Sequence, residues 1–184
     1  NRDKFNIGLV LETRSKTSTA ESRNIPYHFI ESLLKIKSTD FYLLQKEYDN
    51  NKFELLNNKY SNIKIINEDL SNVAALIENL DVIITIDSMA ANLSGTLQKE
   101  TWLLLPFVSD WRWQYSGNTS YWYPSVKIFR QNKFNDWASV ISQVEIELRK
   151  KVESFVKPND GVKSKITGIK KSIDISISAK KYGV

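Results

Sequence analysis

A carboxylate and a hydroxyl placed where a buried strand turns into a helix form a pattern that can hold an anion. In this sequence the apolar run DVIITID (81–87) closes on Asp87-Ser88 and passes straight into the small-residue run SMAANLSGTLQ (88–98). The first reads as a buried strand and the second as a helix, so Asp87 and Ser88 fall at the helix start. The first free N–H groups of a helix carry about half a positive charge and suit a phosphate. Ala90, Ala91, Ser94 and Gly95 keep this helix slim, which lets it lie close to a sheet or to a bound group. The same pair also fits a plain N-cap, in which Asp87 or Ser88 serves only the helix's own N–H groups.

Other residues invite the same question. The stretch TRSKTSTAESRNIP (13–26) follows the first strand-like run. It is much longer than the roughly 2–6 residues of an ordinary strand-to-helix connection. Its hydroxyls, with Arg14, Lys16 and Arg23, can wrap a pyrophosphate or can simply be solvated. It contains neither G-x-G-x-x-G nor a P-loop. Gln45 closes the second strand, where a polar side chain reaches a base or ribose or faces water. His28 lies in the opening turns of the first long helix, a place for a partly buried structural histidine or a catalytic one. Finally, PFVSDWRWQYSGNTSYWYP (106–124) gathers Phe107, Trp111, Trp113, Tyr115, Tyr121, Trp122 and Tyr123 with no helical or strand period. Exposed apolar surface is costly, so such a loop needs a reason.

The elements that must position these groups alternate. Strands are expected at 5–12, 40–45, 62–67, 81–87, 101–106 and 126–131, with helices at 25–36, 48–58, 71–80, 88–98 and 137–155. Ser71 is the expected N-cap of the third helix, which buries Val73, Ala74, Leu76 and Ile77. Strand–helix alternation implies parallel pairing, and near-continuous apolar strands imply a sheet covered on both faces. The fold class is α/β, a Rossmann-like doubly wound parallel sheet. Ligands of such sheets bind beyond the carboxyl ends of the strands, where strand order reverses.

Composition narrows the function classes. The chain has 184 residues, 41% apolar and 26% charged, which suits one domain of residues 1–156 with a tail at 157–184. Without cysteine and with one histidine, disulfides, thiolate metal sites and multi-histidine metal sites are excluded, and no cofactor is expected. No apolar run approaches the roughly 20 residues of a membrane span. The tail carries seven lysines against two aspartates, which accounts for the whole net charge of +5. Residues 1–156 are balanced, with 19 basic and 19 acidic residues, so nucleic acid is not the expected partner. The tail alternates Ser and Ile and reads as mobile or as an added edge hairpin. The chain opens on Asn1 with a strand-like run at Phe5, which reads as a piece of a longer protein.

The pair LLPFVSDWRW and YWYPSVKIFRQ is specific enough to identify a likeness. The run ALIENLDVIITIDSMAANLSGTLQKETWLLLPFVSDWRW, followed by SYWYPSVKIFRQ and NDWASVI, resembles the C-terminal half of the heptosyltransferase-like (family 9) glycosyltransferases, in the form found in bacterial tetratricopeptide-repeat proteins. The resemblance runs from about Phe5 to Val152 and leaves the tail uncovered. It implies a GT-B architecture, two Rossmann-like halves facing across a cleft. This half would hold a nucleotide-diphosphate sugar, and a missing N-terminal half would supply the acceptor site and the general base. Upstream helical repeats and a cytoplasmic location are further expectations.

By the same resemblance, the family's Asp-Thr-Gly-x-x-His motif maps onto Asp87, Ser88, Met89 and Asn92. Asp87 is kept and Ser88 keeps a hydroxyl. Met89 fills a point of close approach, and Asn92 removes a cation from beside the phosphates. Ser18, Thr19 and Arg23 ahead of Pro26 match the family's first loop, where Arg23 would steady the leaving diphosphate without a metal. Transfer would be inverting, and this half alone would catalyse nothing. In this architecture the segment after the fifth strand lies at the cleft. Aromatic faces there suit sugar stacking or a domain interface. Trp111, Arg112 and Trp113 are the expected cleft residues, and Tyr121 to Tyr123 are assigned to packing. A degenerate, non-catalytic interaction module is the alternative.

Overall fold

The structure, a computed structural model, describes residues 3–13, 15, 20–44, 50–66 and 70–156. The expected sites Ser18, Thr19 and Gln45, and the tail at 157–184, lie outside these. Six strands form one sheet: β1 (Phe5–Val10), β2 (Thr39–Leu43), β3 (Ile63–Ile65), β4 (Val82–Ile86), β5 (Thr101–Leu105) and β6 (Val126–Arg130). Their order is β3-β2-β1-β4-β5-β6, and every pairing is parallel. This is the expected Rossmann-like α/β architecture, with its order reversing between β1 and β4.

The central strands β4 and β5 read as near-continuous apolar runs because both faces are covered. Every residue of β4 and β5 is buried. Along β5 the pleat sends Trp102 and Leu104 into the main core, where the Trp102 ring lies 5.6 Å from that of Phe129. Leu103 and Leu105 face the other way and pack with Ala91, Trp113, Val126 and Ile128. Residues 137–156 form the closing helix, which sends Trp137, Val140, Ile141, Val144 and Leu148 into the main core at helical spacing.

Connections differ from expectation in three places. The helix expected at 25–36 begins as a 3-10 turn, Tyr27–Ile30, and becomes α-helical only over α2 (Glu31–Leu34). Pro26 immediately ahead fixes the entry. The long loop before it contains a helical turn of its own, α1 (Ala20–Arg23). That loop is tied down: the Thr13 N–H donates to Asn24 Oδ1 at 2.7 Å, and the Ile25 N–H to the Leu11 carbonyl at 2.8 Å. Buried Ala20 and Ile25 anchor it, so over 20–26 it is an ordered strap rather than a solvated loop. The third difference is that Ser71 is not an N-cap, because α4 (Leu70–Asn79) already begins at Leu70. The remaining helices are α3 (Asn50–Lys59) and α5 (Met89–Thr96).

Phe41, in β2, is one of the largest fully buried side chains of the main core. Phe41→Ala is expected to cost about 3–5 kcal/mol. In urea titrations this appears as a lower midpoint with an unchanged slope.

Candidate functional site

The crevice at the β1/β4 reversal is where the strap after β1 meets the end of β4. Arg23, the last residue of α1, reaches Asp87 one residue beyond β4. Its Nη1 donates to the Asp87 carbonyl oxygen at 3.2 Å and to Oδ2 at 3.3 Å. Asp87 is 3% exposed. A second guanidinium, Arg112, approaches the same carboxylate, with Nη2 at 3.9 Å from Oδ2. Residues from three connections thus converge: Ser15 and Arg23 after β1, Asp87 after β4, and Pro106, Val108, Ser109, Asp110 and Arg112 after β5. They line a cavity of about 400 Å³.

Capping does not explain Asp87 and Ser88. Ser88 has the extended backbone of an N-cap, but its side chain makes no capping bond to α5. Its hydroxyl shares a hydrogen bond with Thr85 Oγ1 at 3.0 Å instead. Asp87 is occupied by the arginines. The opening turn of α5 therefore keeps its donors clear of the capping side chain beside the cavity. Met89 is 55% exposed and does not line the cavity. The slimness of α5 is used for packing on the sheet. Ala90, Ala91, Ser94 and Gly95 are all buried, and Thr101 Oγ1 donates to Ser94 Oγ at 2.8 Å. Asn92 donates to the Ser88 carbonyl at 3.1 Å and accepts from the Tyr123 hydroxyl at 3.3 Å.

The segment after β5 is built around one short turn. Asp110 caps the 3-10 turn Trp111–Trp113 by accepting the Arg112 N–H at 3.0 Å, and it also accepts Arg112 Nε at 2.9 Å. The backbone N–H of Arg112, against opposing desolvation, and then its side chain hold the Asp110 carboxyl below the usual carboxylate range. Asp110 in turn, against desolvation, holds the Arg112 proton more tightly than usual. Gln114 closes the turn at φ 60° and ψ 173°, a region that side chains rarely occupy and that costs about 1–3 kcal/mol. Arg130, the last residue of β6, braces the turn from below. It donates to the Trp113 carbonyl at 2.9 Å and to the Ser109 hydroxyl. Burial alone pulls the Arg130 pKa down. Among the described residues it has no carboxylate partner.

The turn sorts the aromatic residues differently from the sequence expectation. Trp111 (67% exposed) and Arg112 face outward, but Trp113 is 1% exposed and sits in the second core, so it is not an open cleft residue. A tight turn of this kind points successive side chains in different directions. Tyr121 and Trp122 were expected to pack, yet they are 86% and 62% exposed. Only Tyr123 packs, with its ring 6.1 Å from Trp113 and pressed onto α5 at Gly95. His28 is exposed over the Phe29 ring at 4.1 Å rather than partly buried. It lines a larger cavity of about 700 Å³ between the strap with its following 3-10 turn and α3, which lacks the converging arginines of the crevice.

Ser109, Asp110, Arg130 and Ser15 belong to the site but were not singled out in the sequence. One signal was available for Arg130: it ends VKIFR, at the ligand edge of a strand. Among the described residues no group of three or more His, Cys, Asp or Glu is placed to hold a metal, and no helix is long and apolar enough to cross a membrane.

No protein-family model and no curated protein matches the chain. Among solved structures it is similar to the E. coli heptosyltransferase WaaC with ADP, at a TM-score of 0.54 and 13% identity. That match covers 83% of this chain and 44% of the other. It is also similar to the E. coli heptosyltransferase WaaC with ADP-2-deoxy-2-fluoro heptose, at a TM-score of 0.50 and 14% identity, covering 86% and 44%. At these identities the likeness is one of fold alone, that of a Rossmann-like α/β domain with an all-parallel sheet. The chain spans less than half the length of the enzyme it matches.

Two outcomes follow from this geometry. A Cβ built on Gly95 meets the Tyr123 ring at 2.5 Å, so Gly95→Ala should displace the ring. Overpacking costs about 1–3 kcal/mol, against about 1 kcal/mol of gained helix propensity; a lower thermal midpoint is expected. For Asp110 the folded pKa lies below the unfolded one. Its contribution is therefore present above the ordinary carboxylate value of about 3.9 and is lost as pH falls through the lower folded value. In acid titrations followed by thermal midpoint, wild type should lose more stability over that window than Asp110→Asn, which has no carboxyl to titrate.

Proposed function

We propose that this chain is the donor-binding half of a glycosyltransferase that uses a nucleotide-diphosphate sugar, inverting and without a metal. The observation that carries this reading is the meeting of the Arg23 guanidinium with the β4–α5 junction in the crevice at the β1/β4 reversal. A diphosphate there would lie beside the α5 N–H groups and the Arg23 and Arg112 side chains.

In the transfer step an acceptor hydroxyl oxygen bonds to the anomeric carbon from the face opposite the diphosphate. The bond from that carbon to the diphosphate oxygen breaks and its electron pair leaves with the oxygen. The acceptor's proton passes to a base, which we assign, with the acceptor site, to a second Rossmann-like half. Arg23 and the helix end offset the charge growing on the leaving group, the task a metal performs elsewhere. Asp87 orients Arg23, and Asp110 orients Arg112. Ser18 and Thr19 in the first connection and Gln45 after β2 are assigned to the diphosphate and to the base or ribose.

A second reading, a non-catalytic interaction module, is favoured by the pairing of Arg23 and Arg112 with Asp87 and Asp110. That pairing leaves the described side chains of the crevice formally neutral. Calorimetric titration with ADP, UDP and GDP separates the two. Binding of at least one is expected, and Arg23→Gln should weaken it about 10- to 100-fold, as loss of a charged hydrogen bond implies. No binding at millimolar concentration, or binding indifferent to Arg23, would leave the module reading in place.

A further inference from the structure

Next to the arginine cavity lies a second one of about 230 Å³, lined by Asn92, Trp111, Arg112, Trp113, Trp122 and Tyr123. Arg112 lines both cavities, so a single guanidinium stands between the anion crevice and an aromatic recess. We propose, on the basis of the nucleotide-sugar reading above, that the recess seats the sugar ring of the donor, with Trp111 and Trp122 as its stacking faces and Arg112 as the donor to its hydroxyls.

Size is the first argument. Pockets for drug-sized ligands occupy roughly 300–1,000 Å³, and this recess falls below that range. It suits one ring rather than a base with its ribose. Exposure is the second. Trp111 and Trp122 leave most of their surface open, at 67% and 62%, although each indole brings a large apolar area that is costly to leave in water. The C–H face of a pyranose can cover such a ring while its hydroxyls stay at the rim.

Hydrogen-bond chemistry separates a sugar from a nucleobase. Asn92 uses one amide N–H on the Ser88 carbonyl and one lone pair on the Tyr123 hydroxyl, which leaves a single further acceptor position on its carbonyl. Arg112 offers donors and no acceptor. A base edge with amino groups would find few acceptors in such a donor-rich recess. Sugar hydroxyls accept as readily as they donate. Arg112 is also prepositioned, fixed through Nε by Asp110 at 2.9 Å, so ordering it for a ligand costs little.

The test pairs each diphosphate with its sugar conjugate: ADP with ADP-glucose, UDP with UDP-glucose, and GDP with GDP-mannose. Each is titrated into wild type, Trp111→Ala and Trp122→Ala. At least one conjugate should bind about tenfold more tightly than its own diphosphate, and each alanine variant should remove that gain. Both tryptophans are exposed, so the variants should keep the wild-type far-UV circular dichroism and thermal midpoint. If diphosphates bind but no conjugate gains, the sugar assignment is overturned and the diphosphate site stands. The same holds if the tryptophan variants weaken diphosphate and conjugate alike, as a stacked base would make them. If none of the six compounds binds wild type, the nucleotide-sugar reading itself falls.

Discussion

Where two neighbouring parallel strands send their crossovers to opposite sides, no connection bridges the gap between their carboxyl ends. In this chain that gap lies between β1 and β4, with β2 and β3 on one flank and β5 and β6 on the other. The sheet order creates an opening that the chain must either fill or use. Here two connections are bent toward it. The strap after β1 carries Arg23 inward, and the turn after β5 carries Arg112 across β4. The buried carboxylate of Asp87 lies where they meet. Removing one partner of a buried pair is costly because the other charge is stranded. The Arg23–Asp87 contact therefore ties the strap to the sheet as well as shaping the crevice.

The turn after β5 shows how much local strain the fold accepts to place that second arginine. Gln114 holds a backbone conformation suited to glycine. It is retained by the Asp110 cap on one side and by the Arg130 bonds beneath. Trp113 supplies the anchor by burying its indole among Leu103, Leu105, Val126 and Ile128. A ring assigned to the ligand side thus proves to be the foundation on which the exposed Trp111 and Arg112 stand.

The centre of the sheet was legible in the sequence because β4 and β5 are near-continuous apolar runs and most crossovers carry helical spacing; no long-range contact was needed to see DVIITID or TWLLLP as buried strands. The junction of Asp87 with the small-residue helix was legible for the same reason, since a strand end followed by a helix start fixes the backbone. What could not be read were matters of direction. Whether Trp111 or Trp113 points outward depends on a three-residue turn whose cap is Asp110, and no period marks it. Arg130 and Ser109 reach the site through pairing of β5 with β6, which brings residues 21 apart into contact. Pairing of the Ser88 hydroxyl with Thr85, rather than with its own helix, was equally invisible, because both outcomes satisfy the same local pattern.

The aromatic segment also settles a hazard that any open sheet carries. Beyond β6 the backbone would present a bare row of N–H and C=O groups, a template for joining another chain edge to edge. Instead the Ile128 N–H donates to the Asn118 carbonyl at 2.8 Å, and Thr119 bridges antiparallel to Lys127. The stretch that displays the open rings is thus also the guard of this margin. Loosening it would uncover a sticky flank together with several large apolar side chains, so aggregation is a cost that any redesign of these loops must reckon with.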